Sequence, residues 1–238
     1  MTRGRRRRRP VGTWLLVVAL AVPAVGEPPR AQPRPTGPLT LVTEDGVPAR
    51  LDGLAADLAA ADLAAALDGL ERVVLRGPRA RDRTGHRRAE VFTPAGSSLQ
   101  ARFVAAGAAR VWPGVDPALT RRLLALEAAA RKAGRGGWGA GRFRVHDAVP
   151  TPAIAGFAIV RGEVVSTGET RWFHYLNFAE AYWEDFSVRL RPRDVRDRDW
   201  APEPEALVGA HVEVRGFVFE SGGPMIEIDG PLQLRVLD

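Results

Sequence analysis

Between Asp82 and Phe92 the chain reads DRTGHRRAEVF: a charged turn around Thr84-Gly85, then His86 and two arginines, then alternating strand residues. Arginine offers a planar fork of donors and histidine can carry charge, so such a corner could bind phosphate. The same residues suit a solvated hairpin tip, where Asp and Gly make the turn and the charges face water. A second concentration is aromatic: Trp172, Phe173, Tyr175, Phe178, Tyr182 and Trp183 fall within twelve residues. On an exposed strand face Trp172, Tyr175 and Phe178 could stack bases or other flat ligands. Alternation would bury part of that set, and Glu180, Glu184 and Asp185 are poor company for a phosphate backbone, so core packing with a protein-binding rim is the competing use.

Other chemistries find little support. The chain has no cysteine, which excludes disulfides, thiolate catalysis, lipoprotein anchoring and cysteine metal sites. His146, His174 and His211 have no metal-motif spacing and read as ordinary surface or barrel residues. There is no glycine-rich phosphate loop and no nucleophile elbow.

The elements that must position these residues are legible in outline. Leu39 to Val42 and Ala49 to Leu54 are short strand candidates around the turn Glu44-Asp45-Gly46. From Ala55 to Leu70, leucines at 58, 63, 67 and 70 predict a packed helix rather than alanine-rich filler. Val73 to Leu75 and Ala89 to Phe92 continue the strand pattern. Ser97 or Ser98 caps a helix with Leu99, Phe103 and Ala106 that Gly107 ends. Asp116-Pro117 opens another, with Leu119, Leu123, Leu126 and Ala130 as its buried stripe and Gly134 as its stop. Beyond Thr151-Pro152 the pattern changes to short strands, at Phe157 to Ser166, Trp172 to Phe178, Phe186 to Leu190, Val212 to Phe219, Met225 to Ile228 and Leu232 to Leu237. A polar segment from Arg191 to Glu205 interrupts them, and the whole suggests a small barrel.

The first 26 residues stand apart. Arg3 and Arg5 to Arg9 form a basic n-region, Val11 to Val25 is apolar, and Ala24-Val25-Gly26 supplies small residues for cleavage, which is the pattern of an export signal. As a helix, Val11 to Val25 would span roughly 22 Å against a hydrocarbon core of about 30 Å, so cleavage is expected rather than a stable membrane span. Localisation is therefore expected to be periplasmic or secreted. Glu27 to Pro38 holds five prolines in twelve residues and reads as a linker, with order beginning near Leu39.

The formal charge of +6 invites a nucleic-acid reading, but six arginines lie in the n-region, and the remainder has 28 Lys and Arg against 28 Asp and Glu. Residues 27–150 carry 19 basic and 13 acidic side chains, residues 151–238 carry 9 and 15. Either the first half attracts a polyanion or the two halves attract each other.

DRTGHRRAEVF, SLQARFVAAGAARVW and LLALEAAARKAGRGGWG resemble, in order, the staphylococcal-type thermonuclease domain, and DGVPARLDGL resembles the strands before its catalytic loop. GEVVSTGETRWFHYLNF, DFSVRL, LVGAHVEVRGFVFESGGPMIEI and PLQLRVL resemble the small OB-fold domain that follows such domains in exported bacterial proteins. The resemblance implies a mainly β fold with α (α+β): two tandem OB-like five-stranded barrels, the first with two to three packed helices. The expected organisation is a signal peptide at 1–26, a linker at 27–38, a thermonuclease-like domain at 39–145 and an OB-fold domain at 152–238.

Members of that family hydrolyse phosphodiesters with one calcium ion, carboxylate ligands, a glutamate that handles the attacking water, and two arginines on the phosphoryl group. The first arginine matches Arg50. The second matches His86, mostly neutral at pH 7 and without the fork, and Arg87 would replace it only through a one-residue slip. The metal aspartate and the glutamate match Ala55 and Leu58, and Asp57 reads as a solvated aspartate at a helix start. The resemblance thus implies no calcium site and no cofactor, and no confident catalytic residue beyond the remnants Arg50, His86 and Arg87. Three functions stay open: an exported binding or scaffolding module that has lost catalysis, with a protein or cell-envelope partner; a nuclease with a relocated metal site using Asp52, Asp57 or Asp82; and nucleic-acid binding by the basic half.

Overall fold

The computed structural model of the protein describes residues 32–150, 153–180, 185–192, 194 and 203–237. The basic n-region, the apolar segment and the start of the proline-rich stretch lie outside them, as do Tyr182, Trp183 and Glu184. The described chain is mostly β with three α-helices.

The first half is a five-stranded sheet: β1 (Arg34–Gly37), β2 (Thr40–Val42), β3 (Pro48–Leu51), β4 (Val74–Arg76) and β5 (Arg87–Phe92). They run in the order β1-β2-β3-β5-β4, antiparallel except for the parallel pair β3 and β5. β1 lies inside the proline-rich stretch expected to be linker. Within this sheet it pairs with β2 alone, and an edge strand tolerates Pro35 because no ladder bond is needed from its nitrogen. Alternation turns Leu41, Ala49, Leu51, Ala89 and Val91 into the core, where the helices meet them.

Helix α1 (Ala60–Leu67) is shorter than the leucine spacing predicts. The segment before it is held extended instead: Leu54 forms a bridge with Val111, and the Ala55 amide donates to Arg110 O at 2.8 Å. Leu58, Leu63 and Leu67 are still buried, so the pattern found the burial but not the backbone. α2 (Leu99–Ala105) is capped by Ser98, which accepts from the Ala101 amide, and Gly107 follows at φ 69°. α3 (Pro117–Lys132) has Asp116 as cap and Pro117 in its first turn.

The second sheet contains β6 (Val145–Asp147), β7 (Gly156–Glu163), β8 (Ser166–Glu169), β9 (His174–Asn177), β10 (Ser187–Leu190), β11 (His211–Glu220), β12 (Pro224–Ile228) and β13 (Leu234–Val236). Its pairing path is β6-β7-β11-β12-β10-β9-β8, with β13 against β11. β6 joins it ahead of the expected boundary at Thr151-Pro152. Only Val164 and Val165 separate β7 from β8, and both keep pairing: Val164 N donates to Ala210 O at 3.0 Å, Val165 N to Asn177 O at 2.8 Å. One bent strand therefore pairs with β11 through β7 and with β9 through β8, and the sheet curls around Leu176, Phe186, Val188, Val214, Ile226 and Ile228.

If β7 and β8 are taken as one strand and β6 and β13 are set aside, the second ladder repeats the strand order of the first. Its third and fifth strands, β10 and β12, are parallel, as β3 and β5 are. A short 3-10 helix at Pro204–Leu207 falls between third and fourth strands, where the first half has α1.

The halves are in contact through buried charge and aromatic rings. Arg131 on α3 forms two hydrogen bonds to Glu213 on β11, at 3.0 and 2.8 Å. Arg215, two residues on, meets Glu127 of α3 at 2.8 Å and donates to Val111 O at 3.0 Å, while Glu127 accepts from Val111 N. Burial raises the Glu213 carboxyl, but the Arg131 hydrogen bond and the charges of Arg131, Arg215 and Arg235 outweigh it and hold the group below its usual range. Beside this network, Trp112 packs against Phe157 and Phe217, with centroids 5.7 and 5.3 Å away. Ion pairs of both polarities cross the contact, so local pairing rather than the bulk charge asymmetry builds it.

Candidate functional site

The corner opened by DRTGHRRAEVF lies over a cleft of about 520 Å³ between β3, β5 and the turn before β5. The parallel register sets Arg50 beside Arg88. The turn is built on Asp82, whose Oδ1 accepts from the Thr84 hydroxyl at 2.6 Å, the Thr84 amide at 2.9 Å and the His86 amide at 3.0 Å. The Thr84 hydroxyl bond, opposed by desolvation and helped by the two amides and Arg50, lowers the Asp82 carboxyl to about 2. Gly85 stands at φ 80°, where a side chain would be strained.

Asp52, at the end of β3, is 3% exposed. Its Oδ1 accepts from Arg88 Nε at 2.9 Å and meets Arg88 Nη2 at 2.6 Å, and its Oδ2 accepts from the Val115 amide at 2.9 Å. Beneath it, Gln100 donates to Asp52 O and Ala89 O and accepts from the Val91 amide, tying β3 and β5 to α2. Gly114 is required here, because a Cβ at that position would sit 2.3 Å from Asp52 Oδ2. Trp112 completes the cleft wall and is the same ring that the second half packs against.

Of the residues expected from sequence, Arg50 lines the cleft. It approaches Asp82 at 3.8 Å, too long for a hydrogen bond, and its Nε is buried with no hydrogen-bond partner. His86 contacts the Thr84 hydroxyl through Nδ1 at 3.0 Å and is not part of the cleft lining. Arg87 points to the other side of the sheet and donates to the carbonyls of Leu75, Gly77 and Pro78, pinning the strand connection. Arg88 is the residue that sequence reasoning missed. Strand alternation was the signal, since Arg88 lies two residues from His86 and so on its face.

The carboxylates considered for a relocated metal site are already engaged. Asp52 faces Arg88, Asp82 holds its turn, and Asp57 is no solvated helix start: it accepts from Arg110 N at 3.2 Å and Nε at 2.5 Å. Ala55 and Leu58 are buried in the core. Among the described residues no three His, Asp or Glu side chains gather as a metal site would need.

The aromatic set separates as well. Tyr175 lines a groove of about 550 Å³ on the outer face of β8, β9 and β10. Trp172 is 62% exposed on the preceding turn, outside that lining, with the Arg171 guanidinium 4.1 Å above its ring. Phe178 is buried against Phe186 at 5.3 Å and presents no stacking face, because it alternates with Asn177 and shares the core face with Leu176. Tyr182 and Trp183 lie outside the described residues.

In comparisons with known proteins, neither a protein-family model nor a curated protein matches the chain. Among the described residues no helix is long and apolar enough to cross a membrane.

Proposed function

We propose that the protein is an exported thermonuclease-like binding module that has lost phosphodiesterase chemistry, built from two OB-like barrels. Its first half keeps an arginine-lined cleft that takes a phosphate-type anion without cleaving it. The observation that carries this reading is the disposition of the cleft: Arg50 retains a buried Nε with no hydrogen-bond partner and only a long approach to Asp82, while Asp52 and Asp82 are committed to Arg88 and to the turn. A calcium ion does not fit these residues, since a hard cation needs several free oxygen donors and the matching positions are Ala55 and Leu58. The shared strand order, with its parallel third and fifth strands, supports the barrel reading of both halves.

A second reading, non-catalytic nucleic-acid binding, is favoured by one specific feature: Arg81 and Arg83 flank the same cleft as Arg50 and Arg88. It differs in scale, because a polyanion would release counterions and lose affinity steeply with salt.

The test is incubation of the purified protein with single-stranded DNA and RNA across calcium, magnesium, manganese and zinc. No cleavage is expected with any of them. Metal-dependent cleavage abolished by Arg50→Ala would overturn the proposal in favour of a rearranged nuclease.

A further inference from the structure

We propose that the end of the first half where α2 and α3 terminate is a docking face for an anionic bilayer, held by the charge of lipid headgroups without insertion. This face is separate from the arginine cleft and does not depend on the function assigned to it.

The basic excess of the first half is concentrated rather than spread. Residues 98–146 hold nine Arg and Lys side chains, and the acids among them are Asp116, which caps α3, and Glu127, which is buried against Arg215. Three of the nine are neutralised, Arg110 by Asp57, Arg122 by Glu90 and Arg131 by Glu213, and Arg121 stands at the start of α3. The other five are Arg102, Lys132, Arg135, Arg142 and Arg144. All are exposed, and among the described residues none of them forms an ion pair.

The backbone brings these cations to one place. The loop after α3 lies on the turn after α2 at distances that only glycine permits: a Cβ on Gly107 would sit 2.1 Å from Arg135 O, and one on Gly136 would sit 2.4 Å from Ala106 O. Arg135 then donates to Ala105 O at 3.2 Å, Arg142 to Ala108 O at 3.0 Å and Arg144 to Gly141 O at 3.2 Å. A carbonyl fixes a guanidinium without cancelling its charge, and most of its five N–H donors stay free for a ligand. The bonds to Ala105 and Ala108 also offset the negative end of α2. Side chains ordered in advance lower the cost of binding.

A bilayer fits this face better than a nucleic acid does. No large apolar side chain is exposed on it, and the exposed Gly134, Gly136, Gly139, Ala140 and Gly141 between the cations give a low profile on which a flat charged surface can rest. A single strand would ask for a stacking ring, and a duplex for amides at a helix N-terminus or an element that enters a groove. Trp138 is the ring at this face, but the Arg131 guanidinium lies 5.2 Å from its centroid, Phe143 packs edge-on at 5.4 Å, and its Nε1 is buried. Both helices arrive by their C-termini. The apolar segment Val11 to Val25 is expected to bring the chain to a membrane during export, and five cations at about fivefold in affinity each would hold it reversibly at an anionic surface after cleavage.

The test uses the chain from Glu27 on, which keeps every described residue and removes the arginines of the n-region. It is cosedimented with phosphatidylcholine vesicles containing roughly one-third phosphatidylglycerol. The expected result is binding that pure phosphatidylcholine vesicles do not show and that about 0.5 M NaCl abolishes. Replacing three charges together, Arg102→Gln, Lys132→Gln and Arg144→Gln, should weaken it about a hundredfold, at about fivefold per charge. Arg83→Gln, which removes a charge at the cleft instead, should change it by no more than about twofold. Thermal unfolding of the triple variant within a few degrees of the parent shows that the loss is local. No binding to the charged vesicles, equal binding to neutral ones, indifference to the triple substitution, or tighter binding of a short DNA duplex that the same three substitutions abolish would overturn the proposal.

Discussion

Two ladders with the same strand order present opposite chemistry at corresponding places. In each half a surface forms around the third strand, the fifth strand and the turn that joins fourth to fifth. In the first half these contribute Arg50, Arg88 and the Asp82 turn; in the second they contribute Ser187, Met225 and the turn at Ser221 and Gly222. One surface is a cleft of guanidinium groups, the other a groove of hydroxyls and one ring. The backbone decides where a surface can form, and side chains at a few strand positions decide what it can hold.

The halves differ also in how their cations are spent. Arg189 in the second half is sealed between two rings and a glutamate, whereas Arg50 in the first is left with an unbonded Nε. What they share is a wall: Trp112 lines the cleft and packs on Phe157 and Phe217, so the second half supports the first half's site.

The strongest way to break this picture is at the contact. Arg215→Ala leaves Glu127 and Glu213 buried with one cation fewer, and removing one partner of a buried pair costs about 3–5 kcal/mol. Chemical denaturation should show one transition moved to lower denaturant. Two separated transitions, with the first half unmoved, would mean that the halves stand independently.

Asp52→Asn probes the cleft with a smaller effect. Losing the carboxylate should destabilise by about 1–3 kcal/mol, at the low end because water reaches Arg88. It also frees Arg88, so affinity for pyrophosphate, measured by calorimetry, should rise by roughly fivefold, equivalent to about 1 kcal/mol of charge interaction. Weaker pyrophosphate binding in a folded variant would remove the cleft as the anion site.

The turn gives a pH signature. The folded Asp82 carboxyl is lowered from 3.8 to about 2, so its stabilising bonds are fully present above pH 4 and are lost as pH falls through 2. The Asp82 side-chain carboxyl ¹³C resonance should titrate with a midpoint near 2; a midpoint near 3.8 would show that the turn does not depend on those bonds. Smallest of all, Trp172→Ala should change stability by no more than about 0.5 kcal/mol in thermal melts, since the ring is exposed and outside the groove.

Much of the fold was legible in the sequence, for reasons that can be named. Ser98, Gly107, Asp116-Pro117 and Gly134 bounded α2 and α3 because caps are local. α1 began later than its leucines implied because Asp57 and Ala55 are bound to Arg110, fifty residues away in the chain, and such a partner leaves no periodic trace. β1 was hidden by prolines that an edge strand can carry. At the cleft, Arg50 was legible, whereas Arg88 was not singled out: only the pairing of β3 with β5 shows that it, and not Arg87, faces Asp52. Tyr175 and Phe178 lie three residues apart, so alternation puts them on opposite faces, and only the fold shows which face is core and which is groove.

The most direct test of the account is a titration of the ¹⁵N-labelled protein with pyrophosphate. The account predicts that it shifts the amides of Arg50, Thr84 and Arg88 and spares Gly168, Tyr175 and Ser221. Shifts confined to the second set, or none in the first, would contradict it.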